Sequence, residues 1–299
     1  MREGLLEFVL GEPLAIIPRL TAVLFLAYPP WRQWEPAGTV AELYGLLYRG
    51  ALVLGLCSDR IVTHPGFWSA LGAVHWLWIG RAYAVADNHR YLEGYWCIAL
   101  VMSLSVGDDI GETVLTRTSL WLIASCFGCA ALWKIFSRSY RNGSFFTHSL
   151  LFDPRFLPIA SVFARIGREL RVKHHEAARR IAAGDSSEER VEVPTSLRRL
   201  SLALTWWTIW IETAVVFVCV VSMDGMDTLR VVIVLMFVLT TYLLVPVVSF
   251  GNVLLVMLMA SVGDPYVRGA LLAVLLTVPI GSFVVSRLMA RGTDLLADG

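Results

Sequence analysis

Apolar stretches about as long as the ~20 residues that carry a helix across a ~30 Å hydrocarbon layer recur along this chain, with short polar breaks between them. They predict eight or nine membrane spans, the clearest over 40–57, 67–86, 91–106, 119–136, 202–222, 229–245 and 267–287. The stretch 5–28 is interrupted by Pro13, Pro18 and Arg19, and 252–262 is short. Because it follows Pro246 and Gly251, that short piece reads as a separate span or as half of a broken helix. Broken helices are tolerated only where protein or a polar cavity satisfies the freed backbone. The predicted fold is an all-α, polytopic integral membrane helical bundle, with residues 1–299 as one domain.

Between residues 137 and 200 the pattern changes, because twelve basic residues from Arg138 to Arg199 crowd one connection. The positive-inside rule places this long basic loop in the cytoplasm, and the C-terminus with Arg287 and Arg291 returns there. The acidic loop 107–118 and the turn at Asp224–Asp227 then fall outside, and Trp31 and Trp34 beside Tyr28 read as interfacial anchors. Within the basic connection Ile159, Val162, Phe163, Ile166 and Leu170 recur at helical spacing, with Arg165, Arg168, Arg171 and Lys173 among and after them. Residues 156–183 therefore predict an amphipathic helix on an anionic lipid surface, or else a helix packed over the end of the bundle. The segment 184–189 reads as a flexible tip.

Composition narrows the partners. The chain is 57% hydrophobic with a mean hydropathy of +0.65, and 16% charged against roughly 25% in an ordinary soluble domain. A net charge of +1 leaves no basic surplus for binding nucleic acid. Arg2 is offset by Glu3, Glu7 and Glu12, so no cleavable signal is expected. The five cysteines lie in apolar stretches, which argues against a secreted disulfide framework.

Each charge in hydrocarbon costs about 2.5–3.5 kcal/mol, so ionisable residues inside spans need a partner or a task. Here they are Arg49, His75, Arg81, Lys134 and Glu212, with Asp87 and His89 at a hairpin. Arg49 lies about 14 Å along its predicted helix and Glu212 about 18 Å along its own, so an ion pair between them is geometrically allowed. Its plain reading is a structural bridge. Lys134 lies about 24 Å along a span antiparallel to the one that starts near His89, and Arg81 ends its span at the same level. A lysine in apolar surroundings beside a second cation is expected to serve as a neutral amine that takes a proton from a lipid-soluble acid. The alternative is that Lys134 snorkels to the interface and His89 caps a helix.

Four segments carry a resemblance. LYGLLYRGALVLGLCS (43–58), DNHRYLEG (87–94) with its Asn-His-x-Tyr-Leu, ALWKIFSRSYRNGSFF (131–146) and WWTIWIETAVV (206–216) resemble, in order and spacing, the vitamin K-dependent gamma-carboxylases and their bacterial relatives, the HTTM (horizontally transferred transmembrane) proteins. The likeness covers about residues 43–260. It implies that Lys134 is the base that deprotonates a reduced quinone and that His89, held by Asn88, assists at oxygenation or carboxylation. Asp87, Arg81, Arg49, Glu212 and Tyr91 are then expected around the substrate. The eukaryotic enzymes have Asn-Asn where this chain has Asp87-Asn88, and they carry a large lumenal domain that engages a peptide. A smaller lipid or peptide substrate is therefore expected in place of peptide glutamate. The carboxylases work from the lumenal side, whereas the charge pattern here puts His89 and Lys134 on the cytoplasmic side.

Other readings remain open. Asp108, Asp109 and Glu112 have the Asp-Asp-x-x-Glu spacing with which prenyl-diphosphate enzymes hold Mg²⁺, and the 11 Trp can line a cation-tolerant cavity, as in a terpene cyclase or prenyltransferase. Cys126-Phe127-Gly128-Cys129 suggests either quinone redox chemistry or close helix packing through small residues. His174-His175-Glu176 needs further ligands to bind a metal. A non-enzymatic membrane partner, such as an immunity or signalling protein, is the third class.

Overall fold

The computed structural model describes residues 11–28, 39–81, 83, 88–182, 192–221, 225–244 and 248–277. Regular structure is entirely helical, with no strand among the described residues. In chain order the helices are α1 (Pro13–Ala27), α2 (Thr39–Leu56), α3 (Asp59–Val62), α4 (Pro65–Arg81), α5 (Asn88–Leu104), α6 (Asp108–Phe136) and α7 (Arg138–Arg141). They continue with α8 (Ser144–Phe152), α9 (Leu157–Ala164), α10 (Arg168–Ala182), α11 (Thr195–Val220), α12 (Met226–Leu244) and α13 (Val248–Ser261). The last, α14, covers Pro265–Thr277. Asp87, Trp31, Trp34, Asp224, Arg287, Arg291 and the segment 184–189 lie outside the described residues.

Two helices, α6 and α11, are long and apolar enough to cross a membrane among the described residues, against the eight or nine expected. At 1.5 Å per residue their 29 and 26 residues measure about 43 and 39 Å. Several predicted spans form shorter helices. The 15 residues of α1, 17 each of α4 and α5, and 14 of α13 measure about 21–26 Å, less than the hydrocarbon layer. The most apolar windows of α6 and α11 are only 33% and 44% buried. Trp121, Leu132, Trp133 and Phe136 on α6, and Trp206, Trp210 and Phe217 on α11, are exposed. A helix that fills the core of a water-soluble protein hides such side chains.

The chain divides into two compact units. The first comprises Met1–Cys126, Phe217–Leu235 and Val248–Leu276. Its centre is α13, in which residues 251–260 are buried without a break, as befits a helix that is apolar on every side. Helix α1 packs on α13, and α4 and α5 lie along each other. Several polar side chains inside this unit are tied to backbone or to one another. Trp68 Nε1 donates to Val62 O at 2.7 Å, and Trp96 Nε1 donates to Thr21 Oγ1 at 3.0 Å. Thr116 Oγ1 reaches Ala260 O at 3.1 Å.

At Gly111 the start of α6 approaches the unit so closely that an added Cβ would sit 2.5 Å from Ser103 O and 3.0 Å from Leu14 Cδ1. The segment read as an acidic loop is in fact the opening of α6. Asp108 and Asp109 occupy its first turn, where carboxylates complement the positive end of the helix dipole. Solvated carboxylates at that end start a helix as readily as they end a loop, so charge alone did not distinguish the two.

The second unit comprises Phe127–Val216, Met236–Val247 and Thr277–Gly299. Its basic connection is a stack of short helices around its own core of Tyr140, Phe146, Leu150, Ile159, Ile166 and Leu197. Gly143 starts α8 with φ +79°, a conformation that favours glycine. The expected single amphipathic helix is two helices, because Arg165 adopts φ 53° and ends α9. That break separates the expected apolar stripe. Ile159 and Ile166 enter the core and Leu170 packs against it, while Val162 and Phe163 point outward. Before α9, Arg155 grips Asp153 through three side-chain hydrogen bonds of 2.7–3.1 Å and holds that carboxyl below its ordinary range.

Two glycines of α6 differ in what they permit. Gly111→Ala drives a Cβ into a backbone carbonyl, whereas at Gly128 the nearest atom is Val216 Cγ2 at an ordinary 3.8 Å. Gly111→Ala is expected to destabilise by about 1–3 kcal/mol, an overpacking effect. Gly128→Ala should be neutral or gain up to about 1 kcal/mol from helix propensity. Thermal unfolding midpoints in detergent check this, and equal behaviour of the two variants contradicts the packing described.

Candidate functional site

In the second unit, α6 and α11 run antiparallel. Gly128 faces Val216, the backbone oxygen of Tyr140 accepts from Thr205 Oγ1 at 3.2 Å, and Thr147 Oγ1 meets Ser201 Oγ at 3.0 Å. This register brings Lys134 of α6 opposite Glu212 of α11, and Lys134 Nζ donates to Glu212 Oε1 in an ion pair. Both side chains are nearly enclosed, with 11% and 8% of their surface exposed. The lysine lies in the last turn of α6, where the negative end of the helix dipole favours a cation. The ring of Tyr140 lies 5.6 Å from Nζ, within cation–π range, and Trp133 packs edge-on to that ring at 5.1 Å. Below the acid, Trp207 and Trp210 stack at 6.2 Å. Glu212 Oε2 is buried with no hydrogen-bond partner among the described residues.

The pair differs from the neighbours expected for Lys134. A neutral amine beside Arg81 was expected; Lys134 instead sits on a carboxylate, and Arg81 is exposed. Glu212 forms its ion pair with Lys134, and Arg49 is exposed. Depth counted along each helix from an assumed membrane edge misjudged the match. Helix α6 begins at Asp108 and α11 at Thr195, so both run well past those edges, and their contacts fix the register.

A second polar cluster lies in the first unit, between α4 and α5. Arg90 Nη1 donates to Glu93 Oε1 at 3.0 Å and Oε2 at 2.8 Å. His75 Nε2 lies 2.9 Å from Arg90 O and 3.6 Å from Glu93 Oε2, and Phe25 stacks on its ring at 5.9 Å. All three polar side chains are buried. Arg90 and Glu93 were not singled out from the sequence, although their i,i+3 spacing inside DNHRYLEG was a usable signal for an ion pair on one helix face. Tyr140 was also missed, since nothing local marks a ring that will meet a cation six residues earlier in the chain.

His89 is buried in the first unit with its ring 6.4 Å from Phe250, whereas Lys134 belongs to the second unit. Asn88 is the first residue of α5, its side chain lying outside the described residues, as Asp87 does. Tyr91 is half-buried and donates from its hydroxyl to Tyr83 O at 3.3 Å. Asp108 and Asp109 are exposed and Glu112 is half-buried. Among the described residues no group of three or more His, Cys, Asp or Glu is placed to hold a metal ion. Cys126 and Cys129 form no disulfide. In α10, burial and the neighbouring His175 push the His174 imidazole below its usual range. No family model, no curated protein and no solved structure matches the chain.

Removing one member of a buried ion pair leaves the other uncompensated and typically costs about 3–5 kcal/mol, while removing both costs much less. Lys134→Met and Glu212→Gln are each expected to destabilise on that scale, and the double variant to recover most of the loss. A double-mutant cycle on unfolding free energies measures the coupling. Additive losses contradict a direct pair.

Proposed function

We propose that the chain is an integral membrane enzyme of HTTM type that moves a proton on a lipid-soluble, isoprenoid-like substrate at the Lys134–Glu212 site. The observation that carries the reading is a buried cation–carboxylate pair on the two helices that, among the described residues, are long and apolar enough to span a bilayer. Intramembrane ion pairs are expensive to maintain and mark substrate or proton pathways. Exposed Trp, Leu and Phe side chains on the same helices suit a hydrocarbon surround. Further spans beyond these two, supplied by the shorter apolar helices where the bilayer thins to match them, complete the polytopic bundle in this reading. The order of the four segments that resemble the carboxylase and HTTM family supports a carboxylase-like reaction on a small lipid, with a reduced quinone as the natural reductant class.

The basic segment supports a cytoplasmic, lipid-facing placement. Val162 and Phe163 are exposed next to Arg165, and Lys173 and Arg179 are exposed on α10. We place this surface against anionic headgroups of the inner leaflet.

Mass spectrometry of lipids that copurify with the chain in mild detergent tests both parts. An isoprenoid quinone or prenyl lipid is expected with the wild type and depleted in the Lys134→Met/Glu212→Gln double variant. The share of anionic phospholipid is expected to fall in Arg165→Ala/Lys173→Ala. Bulk membrane lipids alone, in equal proportion across all variants, contradict the proposal.

A further inference from the structure

We propose that a polar site in the first unit, where α1, α6 and α14 begin, holds the phosphoethanolamine headgroup of a membrane lipid, with its phosphate on Arg268 and its ammonium on Glu112 and Asp264. Only the membrane placement of the chain is assumed, and the Lys134–Glu212 reaction plays no part in it. Arg268, in the first turn of α14, is 7% exposed. Its Nη1 donates to Gly11 O at 3.0 Å, which ties the start of α14 to the chain just before α1. Its Nε is buried with no hydrogen-bond partner among the described residues. A guanidinium does not escape burial by losing its proton, and buried donors are nearly always met by an acceptor. This cation therefore requires an acceptor that is not supplied by the residues around it.

The surroundings disfavour a simple anion and a simple cation in turn. The charges of Glu112 and Asp264 act on the guanidinium, but neither side chain takes a hydrogen bond from it. Glu112 is half-buried and lies in the field of Glu12 and Asp108 as well. Asp264 Oδ1 accepts from Tyr266 N at 2.8 Å, and Asp264 O accepts from Arg268 N at 3.1 Å, so this acid is fixed one turn before the arginine. Glu12, Asp108, Glu112 and Asp264 together outnumber the one guanidinium, which repels a free phosphate. A metal ion would suit the acids and leave Nε unmet, and no group of three or more metal-binding side chains forms among the described residues. A zwitterion, anionic at one end and cationic at the other across a short link, meets both needs.

Position and donor type select the lipid. Helix α6 is long and apolar enough to span a bilayer and begins at Asp108, so these groups lie where a spanning helix enters the headgroup layer. Its start packs on that of α1, since an added Cβ at Gly111 would lie 3.0 Å from Leu14 Cδ1. The N-termini of α1, α6 and α14 thus gather near Arg268, and their positive dipole ends favour a phosphate beside the guanidinium. A primary ammonium, like that of lysine, brings N–H donors to the carboxylates, whereas the quaternary ammonium of choline has none. Phosphatidylglycerol brings the phosphate without a cation for Glu112 and Asp264.

The test titrates the delipidated full chain in detergent with phosphatidylethanolamine, phosphatidylcholine and phosphatidylglycerol of matched acyl chains, read by native mass spectrometry. Wild type is expected to take up phosphatidylethanolamine saturably and about tenfold more tightly than the other two. Arg268→Gln is expected to bind it about tenfold more weakly, the loss of one charge-assisted hydrogen bond. Glu112→Gln/Asp264→Asn is expected to erase the preference over phosphatidylglycerol. Should Arg268→Gln fail to fold, this double variant decides the matter, because asparagine keeps the acceptor for Tyr266 N. Equal retention of the three lipids by wild type overturns the proposal. Saturable calorimetric binding of Mg²⁺ alone or of inorganic phosphate alone overturns it as well. Soluble glycerophosphoethanolamine bound as tightly as the lipid assigns the site to a soluble ligand and overturns the lipid headgroup. None of these results bears on the Lys134–Glu212 reading, which stands or falls with the copurifying isoprenoid.

Discussion

Two opposite charges that are both removed from water cannot be separated cheaply, and Lys134 with Glu212 imposes that constraint on α6 and α11. Sliding either helix by one turn, about 5.4 Å, would leave an ammonium and a carboxylate each without compensation in an apolar surround. The neighbouring contacts agree with one register. Gly143, with φ +79°, lets Leu202 approach to 3.2 Å of where a Cβ would be, and Thr205 holds the backbone oxygen of Tyr140. The core beneath, built from Phe146, Leu150, Ile159 and Leu197, then fixes the short helices that follow α6.

The first unit meets the same constraint differently. Arg90, Glu93 and His75 are all buried, yet two of them are one turn apart on α5, so their pairing needs only local geometry. The third, from α4, is anchored through the backbone oxygen of Arg90. This cluster therefore ties α4 to α5 whatever its chemistry, and Trp76 packing against Tyr91 and Tyr95 continues the same seam.

Helical content was legible because long apolar runs admit little else, and the positions of most helices follow the runs closely. Span number was less legible. Hydropathy measures apolar length, whereas Pro13 and Gly107 bound helices whatever the hydropathy around them, and α13 shows that a mostly apolar helix of 14 residues can be a buried centre. The residues Lys134 and Glu212 were visible as charges out of place, but not their pairing, which depends on a tertiary register that no local pattern encodes. The amphipathic stripe from Ile159 to Leu170 was a true periodicity with a hidden break, because Arg165 in the left-handed region gives no compositional warning. The acidic pentad was visible as well, but its first two carboxylates open a helix and no metal cluster forms around them among the described residues.

The chain contains two lysines, Lys134 and Lys173, and the second forms an exposed pair with Glu169 at 2.8 Å. Replacing Lys173 by Arg leaves one ε-amine in the molecule. Solid-state NMR dipolar recoupling between that amine, labelled with nitrogen-15, and glutamate carboxyls labelled with carbon-13, in lipid bilayers, reads the central contact without assuming any activity. Strong dephasing that disappears in Glu212→Gln is the predicted result; a lysine signal that recouples to no glutamate carboxyl contradicts the account.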